Sequence, residues 1–336
     1  MRYLYGFLLL FLWGCNAIHA PQVVKLQGEA QGTYYSIIYY DVEGRDFHPQ
    51  VDSILDDFDQ SVSLWVPESI LCRVNRGDLT AKLDRYFIDN FKISTEVAKE
   101  TDGAFDFTVG SLAKAWGFGA NGVKHVDAAI VDSLRALVGY NKVRINNGRV
   151  EKDDIRTSFD FNAVAQGYSV DVVGDFLSSQ GIKNYLIDIG GEIKGRGGKP
   201  DGSRWAVGIE KPAADKNSDR VLSAVIELEN ASIATSGNYR KYFEEDGVRY
   251  SHTIDPKTGY PARQTLLSAT ILSDSTAFAD AYATACMVMG LEKSLEFVNA
   301  NPKLEGFFIY STNDGFAFDA TDGFKSRVTQ WFDDQP

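Results

Sequence analysis

Apolar residues recur every three or four positions in two early stretches of the chain, and each stretch predicts a helix. Val51, Ile54, Leu55, Phe58 and Val62 form the first stripe; Phe87, Ile88, Phe91, Val97 and Ala98 form the second. A period near 3.6 gathers such residues on one helix face, where they leave water together. A further helix is expected from Asp127, whose carboxylate suits an N-cap, to Gly139, and another from about Ala163 to Gln180. STAFADAYATACMVMG, ending at Gly290, is helix-like and largely apolar. Strands are expected where aromatic and β-branched residues concentrate: TYYSIIYY (33–40), KVRIN (142–146), TSFDF (157–161), RWAVGIE (204–210), VLSAVIELE (221–229) and TLLSATIL (265–272). NYLIDIGGEIKGRG (184–197) belongs with them, interrupted by glycines. Helices and hairpin-like strands alternate irregularly, which favours an α+β fold over a regularly wound parallel sheet. No repeat of solenoid length and no low-complexity tract breaks the pattern.

The first fifteen residues do not fit that pattern. MRYLYGFLLLFLWGC has a single early cation, Arg2, an apolar run from Leu8 to Trp13, then Gly14 and Cys15. This is the layout of an export signal; the run falls short of the roughly 20 apolar residues that span a bilayer. A cysteine directly after such a run looks like the lipobox of bacterial lipoproteins, with Cys15 as the lipidated residue. The alternative is an ordinary cleaved signal with an incidental cysteine. The expected layout is a signal over 1–14, a lipidated cysteine and tether over 15–27, and one folded domain over 28–336.

Composition narrows the function. The chain has 336 residues, 44% of them hydrophobic and 12% aromatic, enough for a large core. A formal charge of −12 argues against nucleic acid, whose phosphates demand a basic footprint. It also argues against direct adsorption to an anionic membrane. Beyond Cys15 only Cys72 and Cys286 remain, so no disulfide framework is expected.

Several segments carry candidate chemistry. RYSHTIDPKTGYPA (249–262) joins a histidine, His252, to the turn formers Asp255-Pro256 and Gly259–Pro261, and so predicts a rigid loop. TDGAFDFTVGSLAKAWGFG sets Asp106 among glycines and aromatics. In DFNAVAQGYSVD, Asp160 precedes a small-residue helix start, either as a cap or where backbone N–H groups meet an anion. Gly190-Gly191 reads as a bulge or a close backbone approach. In ADAYATA, Asp280 and Thr284 lie four residues apart on one helix face. They are either a polar surface stripe or a buried acid that needs a partner. A hard cation is one such partner, since Mg²⁺ takes one or two carboxylates plus phosphate oxygens. His19, His48, His125 and His252 are scattered without zinc-ligand spacing. There is no Walker A sequence, no complete G-x-G-x-x-G after a strand and no G-x-S-x-G elbow.

The ordered set GTYY, DGAFDFTVG…WGFG, DFNAVAQGYSVD, IDIGGEI, ATSGNYRKYF…YSHTIDPKTGYP and ADAYATA, from about Gly28 to Gly290, resembles the ApbE family of FAD:protein FMN transferases. The resemblance implies an α+β arrangement related to the T-fold, with a mixed or antiparallel sheet and packed helices. It implies an enzyme that cleaves the FAD pyrophosphate with Mg²⁺, transfers FMN to a threonine of an acceptor protein and releases AMP. It implies flavin contacts from Gln31, Trp65, Ala104, Phe105, Asp106, Asp160, Gln166 and Ile254, and a metal site at Ala163, Asp280, Ala283 and Thr284. His252 and Asp280 would be the catalytic pair, with His252 either moving a proton near the pyrophosphate or bonding its own turn. Gln166 stands where the family often has lysine or glutamate, and Phe107 where proline is common. Family members are often periplasmic lipoproteins, which implies an exported protein held by a lipid anchor at the inner membrane. The implied partners are acceptor subunits of membrane electron-transport complexes, such as the sodium-pumping NADH:quinone oxidoreductase. Two other functions share these residues: a Mg²⁺-dependent FAD pyrophosphatase giving FMN and AMP, and a non-enzymatic FAD-binding lipoprotein.

Overall fold

The computed structural model describes residues 20–118, 126–211, 221–238, 242–245, 248–251, 253–262, 265–313 and 315–332. The chain opens with a hairpin of β1 (Gln22–Ala30) and β2 (Thr33–Asp41), then runs through α1 (His48–Val62), α2 (Ile70–Asn75), α3 (Arg85–Glu100), α4 (Gly110–Ala115) and α5 (Ala128–Arg135). A small hairpin, β3 (Val143–Asn146) and β4 (Arg149–Lys152), precedes α6 (Ala165–Ser179). The strand-rich part follows: β5 (Tyr185–Ile189), β6 (Glu192–Arg196), β7 (Trp205–Glu210), β8 (Leu222–Leu228), β9 (Ala231–Gly237), β10 (Tyr242–Glu245), β11 (Val248–Ser251) and β12 (Leu266–Ser273). The described chain ends with α7 (Thr276–Met289), α8 (Leu291–Ala300), β13 (Glu305–Thr312), β14 (Gly315–Ala320), α9 (Asp322–Lys325) and β15 (Val328–Trp331).

Eight strands form the main sheet in the order β1-β2-β5-β6-β9-β12-β13-β14, with every pairing antiparallel. Side chains alternate between its faces, so a single strand serves two cores. On one face Ile37, Tyr39, Ile187 and Ile189 pack against Val51 and Leu55 of α1 and Val170, Val173 and Leu177 of α6. On the other, Tyr40, Leu186 and Ile193 meet Trp205, Val207, Ile226 and Leu228 of a three-stranded sheet ordered β15-β8-β7. The fold is therefore α+β, as the irregular alternation of elements suggested.

α7 is buried on nearly all sides, and its alanines explain how. Ala277, Ala279, Ala281, Ala283 and Ala285 let it lie close to α3, α6, β9 and β12. Ser275 caps its start and Gly290, at φ 78°, ends it.

Four expectations needed correction. The segment assigned to a tether as far as Gln27 joins the sheet already at Gln22, where β1 pairs with β2 through its whole length. TSFDF is not a strand. Its sole ladder contact is a bridge between Ser158 and Val109, while Phe159 and Phe161 lock into an aromatic cluster with Phe87, Phe91 and Phe107 at 5.1–6.5 Å between ring centroids. Of the two readings of Gly190-Gly191, the bulge gives way to a two-residue turn between β5 and β6, with φ of 67° and 110°, while the close approach holds at Gly190, where a Cβ would meet Gln166 and Thr33. The helix expected to reach Gly139 stops at Arg135, although Asp127 does cap it, accepting from the Ile130 N–H.

Candidate active-site cleft

The main sheet, the ends of α1 and α6, and α7 together enclose a cleft of about 1440 Å³. That exceeds the roughly 300–1,000 Å³ common for small-ligand pockets. The β1–β2 turn enters it through Gln31–Tyr34, α1 through Phe58 and Asp59, the α3–α4 loop through Ala104–Asp106, and the start of α6 through Ala163 and Gln166. The β5–β6 turn, the end of β9 and the hairpin around Ile254 complete the walls, and Asp280 and Thr284 face it from α7. Every candidate contact named from the sequence lines this cleft except two. Ala283 is buried in the helical core beside Ala279 and Cys286, away from the cleft. His252 lies outside the described residues, although its neighbours Thr253 and Ile254 are part of the wall.

At the α7 end, the Asp280 side chain is only 6% exposed, and its Oδ2 accepts the Gly167 N–H at 3.1 Å. Glycine is required at 167 because a Cβ there would lie 2.4 Å from the Thr276 carbonyl oxygen. Thr284 Oγ1 shares a 3.0 Å hydrogen bond with Ser236 Oγ of β9. These are not a surface stripe.

The donor set suits a hard cation. Carboxylate and hydroxyl oxygens face the cleft, and no histidine or cysteine is among its described lining residues. Among the described residues no group of three or more His, Cys, Asp or Glu could hold a metal. A cation here would draw its remaining ligands from backbone carbonyls such as that of Ala163, which also lines the cleft, from substrate oxygens and from water, which suits Mg²⁺.

The flavin-side candidates divide into two kinds. Gln31 holds a left-handed backbone (φ 55°), and its Oε1 accepts from Ser169 Oγ at 3.3 Å. Its Nε2 is buried with no protein partner, an orphaned donor at the cleft wall. Trp65, 63% exposed, stands at the rim. The other kind is polar but already engaged. Asp106 accepts from the Thr108 N–H and hydroxyl and from the Tyr140 N–H at 2.7–2.9 Å. Its carboxyl is pushed up by burial and pulled back by these bonds. It shapes the Ala104–Asp106 loop rather than offering a free carboxylate.

Asp160 accepts the Asn162 N–H at 2.8 Å, a local turn bond, while its own N–H donates to the Phe107 carbonyl. The N-cap position of α6 is Val164, so the cap reading of Asp160 does not hold. Burial raises its carboxyl pKa and the Asn162 bond opposes that. Gln166 donates its amide to the Ile189 carbonyl at 2.9 Å and presses on Gly190, where a Cβ would sit 1.8 Å from Nε2.

The predicted loop is held both from within and by neighbours outside it. Thr253–Ala262 closes on itself through the Asp255 N–H to Tyr260 carbonyl and Ala262 N–H to Thr253 carbonyl bonds, and Ile254 bridges to Pro261. Trp116 Nε1 donates to the Gly259 carbonyl at 2.8 Å, and its ring packs on Tyr260 at 5.6 Å. Lys257 reaches Asp102 at 2.7 Å.

Sequence reading missed Asp59, Ser236 and Asp171. Asp59 lines the cleft from α1, its carboxyl raised mainly by burial and then by Asp56. Ser236 sits within the quoted ATSGNYRK run but carries no distinguishing spacing. Asp171 had a signal that went unread: it falls one helical turn after Gly167.

Comparison with known proteins agrees with this geometry. Residues 31–308 match the sequence model of the ApbE family. A protein of Vibrio cholerae named FAD:protein FMN transferase is 37% identical over 96% of this chain and 97% of its own length. One of Escherichia coli with the same name is 32% identical over 92% and 91%. Among solved structures, a flavin transferase ApbE from Vibrio cholerae superposes with a TM-score of 0.81 at 35% identity, covering 91% of this chain and 99% of its own. The apo form of Pseudomonas stutzeri flavinyl transferase ApbE gives 0.83 at 33% identity, covering 93% and 98%. A family model matched over residues 31–308, relatives 37% and 32% identical along nearly the whole chain, and a fold that superposes almost end to end make this chain a member of the ApbE family.

Proposed function

We infer that the chain is an FAD:protein FMN transferase that uses Mg²⁺, attaches FMN to an acceptor threonine and releases AMP. The observation that carries the reading is the convergence in one cleft of the orphaned Gln31 amide, the Ala104–Asp106 loop and Asp160 with the Asp280–Thr284 pair. In the transfer, the acceptor threonine Oγ bonds to the FMN phosphorus as the bond to the AMP phosphate oxygen breaks. The hydroxyl proton goes to a base, for which His252 is proposed because the residues after it line the cleft. Asp280 and Thr284 would hold the cation, whose chemistry when bound is to offset charge on the pyrophosphate. The protein's own contribution is to fix both reactants and keep bulk water from the phosphorus.

The test is incubation of the purified protein with FAD, Mg²⁺ and a polypeptide carrying a candidate threonine. A fluorescent flavinylated acceptor supports the reading. Free FMN and AMP without labelling identify a pyrophosphatase, and unchanged FAD identifies a binding protein.

Export and lipid attachment at Cys15 are part of the proposal, supported by the short apolar run before that cysteine. They would place the enzyme on the periplasmic side of the inner membrane, beside acceptor subunits of electron-transport complexes. Cys15→Ser should move it from the membrane fraction to the soluble one; continued sedimentation with membranes would rule the anchor out.

A further inference from the structure

Asp171, on α6, does not line the cleft, yet its carboxylate accepts five hydrogen bonds from β6 and the start of α7. Its Oδ1 accepts from the Thr276 N–H (3.1 Å), the Thr276 hydroxyl (3.1 Å) and the Lys194 ammonium (2.7 Å). Its Oδ2 accepts from the Ala277 N–H (3.0 Å) and the Ser275 hydroxyl (2.7 Å). Thr276 and Ala277 are the first two residues of α7. Asp171 thus satisfies, from another helix, N–H groups that α7 cannot satisfy itself.

We propose that Asp171 is a positioning residue for the metal-holding pair: by fixing the first turn of α7 on α6 and β6, it sets where Asp280 and Thr284 stand in the cleft. The inference rests on the reading of those two residues as cation ligands. Thr276, Asp280 and Thr284 follow at intervals of four along one face of α7, and Gly167 and Asp171 are four apart on α6. The helices therefore meet in two rungs of opposite sense. Asp171 of α6 accepts from α7, and Asp280 of α7 accepts from Gly167 of α6.

The magnitudes make register matter. Sliding α7 by one residue moves Asp280 by about 1.5 Å and turns it about 100°. Reacting groups tolerate misplacement of only about 0.5 Å. Five of the buried residues of α7 are alanines, whose short side chains leave part of the marking of its register to polar contacts. The Asp171 rung supplies that mark, and Lys194 ties it to β6 just beyond the Gly190-Gly191 turn.

Asp171→Asn is the informative change. Both carboxylate oxygens face donors, so the amide NH₂ opposes an N–H or ammonium whichever way it is flipped. Mn²⁺ alone is the probe, its binding followed by the paramagnetic resonance of the free ion. Asp171→Asn should bind it tenfold to a hundredfold more weakly, the range for partners that orient metal ligands. The Mg²⁺ concentration for half-maximal transfer should rise by the same factor and transfer should recover at high Mg²⁺. FAD affinity without metal, read from flavin fluorescence, should stay within about twofold, the ordinary scatter of a surface change.

A folded Asp171→Asn with wild-type Mn²⁺ affinity overturns the proposal, even if its melting temperature falls, because Asp171 would then be only a cap. Should that variant not fold, Thr276→Val removes the hydroxyl's bonds to Asp171 and to Ser232 Oγ, and Ser232→Ala, which removes the second bond but not the first, is its control; relative to that control Mn²⁺ binding should weaken about threefold, within the worth of one hydrogen bond, and no difference overturns the proposal. A wild-type protein that binds no Mn²⁺ either alone or with FAD present defeats the metal reading and this inference with it, so the wild-type titration separates the two failures.

Discussion

Gly167 donates its backbone N–H to Asp280 Oδ2 across the contact between α6 and α7. The residue proposed to hold the cation is therefore also a support for the start of α6. Removing the Asp280 side chain altogether would mix two effects, so the cleaner change is Asp280→Asn, which keeps an acceptor for Gly167. Transfer should fall by at least about 10²-fold, the scale of losing a preorganised electrostatic stabiliser, with little change in melting temperature. Thr284→Ala should cost about tenfold, since water can replace a hydroxyl ligand and the bond to Ser236 is worth roughly 1 kcal/mol. Full activity in Asp280→Asn at saturating FAD would remove the metal from this position.

Gly167→Ala tests the closeness of the helices. The added methyl would meet the Thr276 carbonyl at 2.4 Å and Asp280 Cβ at 2.9 Å, both on α7. Backbone must shift, at a cost of about 1–3 kcal/mol. The urea midpoint should drop accordingly, and Mg²⁺-dependent activity should fall with it. A midpoint equal to the wild type would show that α6 and α7 can part without penalty.

Asp160→Ala should weaken FAD binding by about 1–3 kcal/mol, the price of leaving a buried partner unsatisfied. Fluorescence titration measures it directly. Wild-type affinity would confine Asp160 to the Asn162 turn bond.

Far from the cleft, Asp41 is held by Arg45 through Nε and a terminal guanidinium nitrogen at 2.8 and 2.9 Å. The guanidinium hydrogen bond lowers its carboxyl to about 2. The folded value lies below the ordinary value near 4, so the stabilisation is present above about pH 4 and is lost as pH falls through about 2. The melting-temperature gap between wild type and Asp41→Asn should be open at pH 7, narrow as pH falls toward about 2 and close below it. A gap that does not narrow between about pH 4 and pH 2 would assign Asp41 a role independent of its charge.

Pattern alone located α1 and α3, because their core faces repeat at helical spacing, and α7, because Ser275 and Gly290 bracket an apolar run. It failed at TSFDF, where the alternation of Phe159 and Phe161 is real but is answered by ring packing instead of a partner strand. Alternation reports which side is buried, not what buries it. The chemistry was legible where motifs are local, as in Asp280 with Thr284. It was not legible where contact is distant, as in Ser236 reaching Thr284 across 48 residues or Trp116 reaching Gly259 across 143. Asp171 shows the intermediate case: its spacing from Gly167 is local, but its partners lie about a hundred residues away on α7.

The entry of the chain into the sheet at Gln22 has a bearing on how far the enzyme can roam. Gln22 stands seven positions after Cys15, and seven fully extended residues reach at most about 25 Å. With Cys15 as its anchor, the catalytic body would be moored rather than leashed, its edge strand held within about one domain radius of the bilayer. Acceptor threonines would have to be presented in that thin layer above the membrane, so the geometry of the mooring would select substrates before the cleft does.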